Sequence, residues 1–300
     1  MAHRHNHVDP DAGDRRVAIA IAVNIGLSVA QVIGGMLSGS LALIADALHN
    51  FSDAISLIIS FAARKIARRP RDETMTFGYG RVEIVAALIN YTTLIIVGLY
   101  LLYEAGARFL YPQPITGWLI IIVASVALVV DLVTATLTYT ISKNSMNIRA
   151  AFLHNVADAL GSVAVIVAGT LIFLYDWWLI DPIVTAMIAG YILWQSIHEI
   201  GPVIRILMLG SPPDIATSQV LRAVLEVDGV GGVHHAHFWQ MTENRAALDA
   251  HVVIEERQCD QAGLIKAAVK LALQDQFGID HTTLELECAD SACRETSKFG

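Results

Sequence analysis

The chain has 300 residues, of which 55% are hydrophobic and 16% charged, and its formal net charge is −8. A soluble domain carries about 25% charged residues, so this composition excludes an ordinary soluble globule as the main architecture. The acidic balance also argues against nucleic acid as a partner.

Residues 1–14 read as a disordered cytoplasmic arm containing His3, His5 and His7. Val17–Leu37 then runs without a single charge, which matches the roughly 20 apolar residues needed to cross hydrocarbon. It is too long for a signal peptide, so it is expected to be retained as a span. Further spans are predicted over Leu41–Ala63, the uncharged Ile84–Tyr103, Ile115–Ile141, Ile148–Tyr175 and Leu179–Ile197. These are long continuous apolar runs with no alternation of period two, so they read as helices and not as barrel strands. Gly34, Gly35, Gly98, Gly161 and Gly169 would let helix backbones approach closely. Asp181-Pro182 reads as an acidic cap and first-turn proline at the start of the sixth helix.

Basic residues set the expected topology. Arg64, Lys65, Arg68, Arg69, Arg71 and Arg81 fall between spans two and three. Arg15 and Arg16 precede the first span, and Lys143 and Arg149 flank the fourth-to-fifth connection, whereas the alternate loops carry no basic residue. Positive-inside reasoning puts both termini in the cytoplasm, as six spans require. A multi-pass protein of the cell (inner) membrane is expected.

The membrane part is bounded at 15–210 by the turn-rich Gly210-Ser211-Pro212-Pro213, followed by a domain over 211–290 and a tail over 291–300. From Pro212 onward there are 7 Lys/Arg against 14 Asp/Glu. Helical spacing over Asp214–Val227, alternation over Gly232–Gln240 and Ala246–Glu255, a second helix over Asp260–Phe277 and a third strand over His281–Glu287 predict an α-β-β-α-β order. That is a small two-layer α+β domain. Cys259, Cys288 and Cys293 all fall in this cytoplasmic part, where a reducing compartment disfavours disulfides. The Cys288/Cys293 spacing is too loose to define a zinc site, and both read as ordinary residues.

Ionisable residues inside spans are costly and call for an explanation. The second span holds Asp46, His49 and Asp53, and the fifth holds His154 and Asp158. Their surroundings nearly repeat: Leu48-His49-Asn50-Phe51-Ser52-Asp53-Ala54 and Leu153-His154-Asn155-Val156-Ala157-Asp158-Ala159. A histidine and an aspartate four apart share one helix face. Two such faces opposed supply two imidazoles and two carboxylates, a set suited to four-coordinate zinc. Magnesium and calcium prefer oxygen alone, and copper(I) prefers thiolates, whereas cadmium, cobalt, nickel and iron fit nearly as well. Asp46, three residues before His49, reads as an outer acceptor or an entrance group. Asp131, mid-way along the fourth span, reads as a pathway or proton-accepting group. Gln31 reads as an interhelix hydrogen bonder.

Over nearly its whole length the chain resembles the cation diffusion facilitator family. The resemblance rests on the His49 and His154 segments with Gly39-Ser40-Leu41-Ala42-Leu43, Phe77-Gly78-Tyr79-Gly80-Arg81, Val233-His234-His235-Ala236-His237-Phe238-Trp239 and His281-Thr282-Thr283-Leu284. It implies a homodimeric metal/proton antiporter with a ferredoxin-like cytoplasmic domain that binds regulatory zinc, and no organic cofactor. It implies that His49, Asp53, His154 and Asp158 form the transport site. It implies that His234, His251 and His281 bind metal in the cytoplasmic domain, where Glu287 and the cysteines could complete the shell and His235 and His237 are weaker candidates. Three residues depart from the family pattern. Met75 replaces a histidine of a loop metal site, leaving Asp72; Gln31 stands for a glutamate; and Asp131 stands for an asparagine.

Two other functions compete. An intramembrane metalloenzyme would need three ligands, an open position and a general base, and the chain has no H-E-x-x-H or G-x-S-x-G. A metal sensor or scaffold would use the C-terminal domain but leave the His-Asp pairs inside the spans unexplained.

Overall fold

The computed structural model describes the backbone of residues 10–142, 146–290, 292–293 and 297–299. Side chains are described from residue 22 onward, except at 53, 56, 57, 60, 61, 64 and 137–155. His3, His5 and His7 therefore lie outside the described residues, and the side chains of Asp53 and His154 lie outside the described set.

Six long helices come first: α1 Pro10–Ser38, α2 Leu41–Ala67, α3 Val82–Leu110, α4 Gly117–Ser142, α5 Met146–Tyr175 and α6 Ile180–Leu207. Among the described residues, Val82–Leu110, Gly117–Thr136, Val156–Tyr175 and Ile180–Leu207 are long and apolar enough to cross a membrane. Ala22–Ser38 adds a shorter apolar stretch. Backbone contacts divide the chain into two units, 1–62 with 89–199 and 63–88 with 200–300.

In the first unit, Leu43 of α2, Ile120 of α4, Val165 and Ile172 of α5 and Val184 of α6 form a buried cluster. Small residues set the α4–α5 approach: a Cβ at Gly117 would lie 2.6 Å from Gly169 O, and one at Gly169 would lie 2.9 Å from Ile120. Asp181 has a different role from the one expected. Its carboxylate accepts from Leu41 N at 2.8 Å, Ala42 N at 3.3 Å and the Ser40 hydroxyl. It therefore caps α2, not α6, and satisfies amides that a helix start leaves unpaired.

In the second unit the C-terminal domain follows the predicted order: α7 Thr217–Leu225, β1 Val230–Thr242, β2 Arg245–Ile254, a short 3-10 turn Glu256–Gln261, α8 Ala262–Phe277 and β3 His281–Cys288. The sheet order is β1-β2-β3, with β1 antiparallel and β3 parallel to β2. A parallel neighbour needs a crossover, which α8 supplies, ending at Gly278 with φ 67° in the left-handed region. Val220, Val224, Leu248, Val252, Val269 and Leu273 form the core between helices and sheet.

The α2–α3 connection belongs to this unit. Phe77 packs edge-on to Trp239 at 6.0 Å and to His281 at 5.8 Å. Arg81 donates from Nε to Met241 O at 3.2 Å.

Candidate metal sites

Of the repeated segments, the described side chains bring His49 of α2 against Asp158 of α5, with Nε2 3.4 Å from Oδ1. His49 is buried. One turn before it, Asp46 is buried and accepts from Gln31 Nε2 at 2.6 Å, while Asn50 Nδ2 donates to Gln31 Oε1 at 3.1 Å. Gln31 thus ties α1 to α2. A glutamine here donates where a glutamate would set a second carboxylate against Asp46. The helices approach closely at this level, since a Cβ on Gly161 would lie 3.6 Å from Asp46 Oδ1. Asp131 of α4 is buried and accepts from Ser162 Oγ at 2.9 Å, one turn after Asp158. Asn50 and Ser162 are participants the sequence did not single out.

The loop carboxylate Asp72 is occupied otherwise. It accepts from Thr74 N at 2.9 Å, Thr74 Oγ1 at 2.7 Å, Met75 N at 2.8 Å and the Tyr79 hydroxyl at 2.6 Å. The Tyr79 hydroxyl first, then Thr74 and the Met75 amide, hold it well below the usual carboxylate range. Here Asp72 builds a turn.

In the C-terminal domain, β1–β2 pairing sets His234 opposite His251. Their rings are 5.2 Å apart. A register shift between His234 and His237, with His235 at φ 50°, also brings the His235 ring 5.0 Å from His251. Such a bulge re-aims side chains that a regular strand would send to opposite faces. Glu287 Oε1 lies 2.6 Å from His251 Nδ1, and its Oε2 lies 3.5 Å from His234 Nε2. Cys293 donates its amide to Glu287 Oε2 at 3.0 Å, with Sγ 4.0 Å from His251 Nδ1. One donor atom each from His234, His251, Glu287 and Cys293 falls within 4.8 Å of the others. Tetrahedral zinc, with bonds of about 2.0–2.3 Å, needs donors about 3.3–3.8 Å apart, so a contraction of about 1 Å completes the shell. The donor set fits zinc.

The comparisons with known proteins bear on both groups. Residues 17–208 match the model of the cation efflux transmembrane domain, and residues 212–288 match that of the cation efflux protein, cytoplasmic domain. The chain belongs to the cation efflux family. The cadmium, cobalt and zinc/H(+)-K(+) antiporter of Bacillus velezensis is 34% identical, over 96% of this chain and 93% of that protein. The zinc transporter ZitB of Pectobacterium atrosepticum is 35% identical, over 98% and 92%. The metal-bound C-terminal domain of the CzcD transporter from Cupriavidus metallidurans is a solved structure matched over 24% of this chain and 99% of its own, with 29% identity and a TM-score of 0.23. As a cation efflux protein, the chain is a multi-pass membrane transporter of divalent metal cations and not an enzyme.

Within this cation efflux protein, two expectations for the cytoplasmic domain are corrected. His281 does not join His234 and His251: it pairs with Ala247 while His251 pairs with Glu285, and its ring rests on Phe77. The cysteines are not three ordinary thiols. Cys259 and Cys288 meet as a disulfide with a Cα–Cα distance of 5.9 Å, because β3 ends beside the 3-10 turn that follows β2. Cys293 instead stands by the histidines.

Burial works to raise the Glu287 carboxyl, but the Cys293 amide and thiol, the His251 ring and the charge of His234 outweigh it and bring the group down to about 2. A depressed folded-state value contributes stability that is present above the ordinary glutamate range and lost as pH falls toward 2. In chelator, the attachment of residue 293 should therefore keep its amide-exchange protection at pH 4. Glu287→Gln should lower that protection several-fold at pH 7 and remove its acid dependence.

Proposed function

We propose that this cation efflux protein exports zinc from the cytoplasm in exchange for protons. The metal would be bound by His49, Asp53, His154 and Asp158 between α2 and α5. The observation that carries this reading is the approach of His49 Nε2 to Asp158 Oδ1 at 3.4 Å, which joins one half of each repeated segment. Mixed nitrogen and oxygen donors favour zinc, and cadmium is a second cargo; cobalt, nickel or iron is the alternative. The names of the relatives, a cadmium, cobalt and zinc antiporter and a zinc transporter, support the same cargo.

Metal binding requires neutral imidazole and ionised carboxylate, so loading the site releases protons and protonating it releases metal. Exposing the site alternately to the two sides would then exchange one for the other. Asp46, held by Gln31, and Asp131, held by Ser162, would serve around the site as an outer acceptor or entrance group and as a pathway or proton-accepting group. His234, His251, Glu287 and Cys293 would bind zinc as a regulatory ion in the cytoplasmic domain. In this reading six spans lie in the inner membrane, both termini are cytoplasmic, and two copies pair through their cytoplasmic domains. The membrane domain then covers 15–210 and the cytoplasmic domain 211–290.

Zinc flux into proteoliposomes with an acidic lumen tests the exchange. The rate should rise at least about fivefold over vesicles at equal pH and collapse when an ionophore dissipates the gradient. A rate indifferent to the gradient contradicts proton exchange.

A further inference from the structure

The α2–α3 connection and the neighbouring sheet enclose a cavity of about 750 Å3 that the metal chemistry does not use. Arg69, Arg71 and Arg81 line it from the connection and Arg245 from β2, and Glu83 is the sole acid in that lining. Arg81 is held in place, donating to Met241 O at 3.2 Å with its guanidinium 5.4 Å from the Trp239 ring centre. Arg245 meets Asp280 only at an exposed 3.8 Å. Among the described residues, Arg69 and Arg71 have no acidic partner within ion-pair distance. The nearest carboxylate in sequence, Asp72, has both oxygens engaged in its turn.

Four guanidinium groups gathered around one cavity repel one another, and an anion between them relieves that repulsion. Guanidinium forks match phosphate oxygens two at a time. The location specifies more. Ala67 is the last residue of α2, and Glu83 lies in the first turn of α3, whose 29 residues are long and apolar enough to span a membrane. The cavity wall therefore includes the first turn of a helix long and apolar enough to span a membrane, and the ends of such spans approach headgroup depth. Basic pockets at such helix ends suit anionic headgroups, and Trp239 and Tyr79 add aromatic walls of the kind enriched at that depth.

We infer that this cavity binds a phosphate group, supplied by the headgroup of an anionic phospholipid or by a free phosphate, between the α2–α3 connection and the cytoplasmic domain. The site is separate from every proposed metal ligand, so its failure and that of the transport reading are distinguishable.

The test uses the full chain in a neutral detergent, titrated with phosphatidylglycerol, phosphatidylcholine and inorganic phosphate. Native mass spectrometry reads lipid binding, and calorimetry reads phosphate. Wild type should bind one phosphatidylglycerol per chain at least about tenfold tighter than phosphatidylcholine. Each basic residue near the headgroup contributes about a factor of five, so R69Q/R71Q should weaken phosphatidylglycerol about 25-fold. R245Q, on the opposite wall, should weaken it about fivefold. If inorganic phosphate binds with this arginine dependence and phosphatidylglycerol does not, phosphate recognition stands and its source is soluble. The altered arginines are exposed, and unliganded melting temperatures are expected to match wild type. The R69K/R71K protein, which keeps the charge, should retain most of the phosphatidylglycerol affinity. Variants that bind all three ligands like wild type overturn the proposal.

Discussion

Zinc flux through the His49→Ala protein is expected to fall at least about 100-fold, to the level of vesicles without protein. The imidazole is buried between α2 and α5 and stands 3.4 Å from Asp158. Removing it leaves three protein donors for an ion that takes four, and one fewer imidazole to hold the metal. Asp158→Ala should match it, because each residue supplies one donor to the same shell. Asp46→Asn and Asp131→Asn should cost less, about tenfold, since groups that orient ligands typically change metal affinity by about 10–100-fold. Flux in reconstituted vesicles at matched protein content separates the two classes. If Asp46→Asn abolishes flux while His49→Ala leaves it intact, the ligand assignment fails.

The second large effect is expected in the cytoplasmic domain. In a His49→Ala background, where the transport site is disabled, His234→Ala/His251→Ala should weaken zinc binding by the full chain about 100-fold or more. Cys293→Ser should cost about tenfold. His281→Ala should change affinity by less than about threefold, because its ring rests on Phe77 at 5.8 Å and outside the donor group. With an intact transport site, the double variant should still transport at near-normal rates in saturating zinc but need more zinc to reach them. Bound metal can shift a transporter only by its differential affinity for two arrangements. Calorimetry and flux against zinc concentration check both halves. A double variant that never transports would make these histidines part of the pathway.

What the sequence disclosed follows from where ionisable residues are costly. His49, Asp53, His154 and Asp158 stood out as candidates because apolar spans have little tolerance for them and because their segments repeat, and the described side chains bring His49 and Asp158 of that set together. The order of helices and strands in the cytoplasmic domain was legible from periodicity. Residues whose roles depend on long-range register were not. His281, Glu285 and Glu287 alternate onto one face of β3, but parallel pairing sets Glu285, not His281, opposite His251. At about 3.3 Å per residue, His281 ends about 13 Å along the sheet. Cys293 reaches His251 from 42 positions away, through a chain reversal after β3 that no local pattern announces. Asp181 caps a helix that begins 140 residues earlier, and its own neighbourhood pointed to α6.

Zinc K-edge absorption on the full chain lacking His234 and His251 tests the central claim most directly, because it reads the ligands themselves. The claim predicts four nitrogen or oxygen neighbours at about 2.0–2.1 Å, the outer-shell pattern of two imidazoles and no sulfur near 2.3 Å, with that zinc signal lost in His49→Ala. A sulfur neighbour, or a spectrum that His49→Ala leaves unchanged, would contradict it.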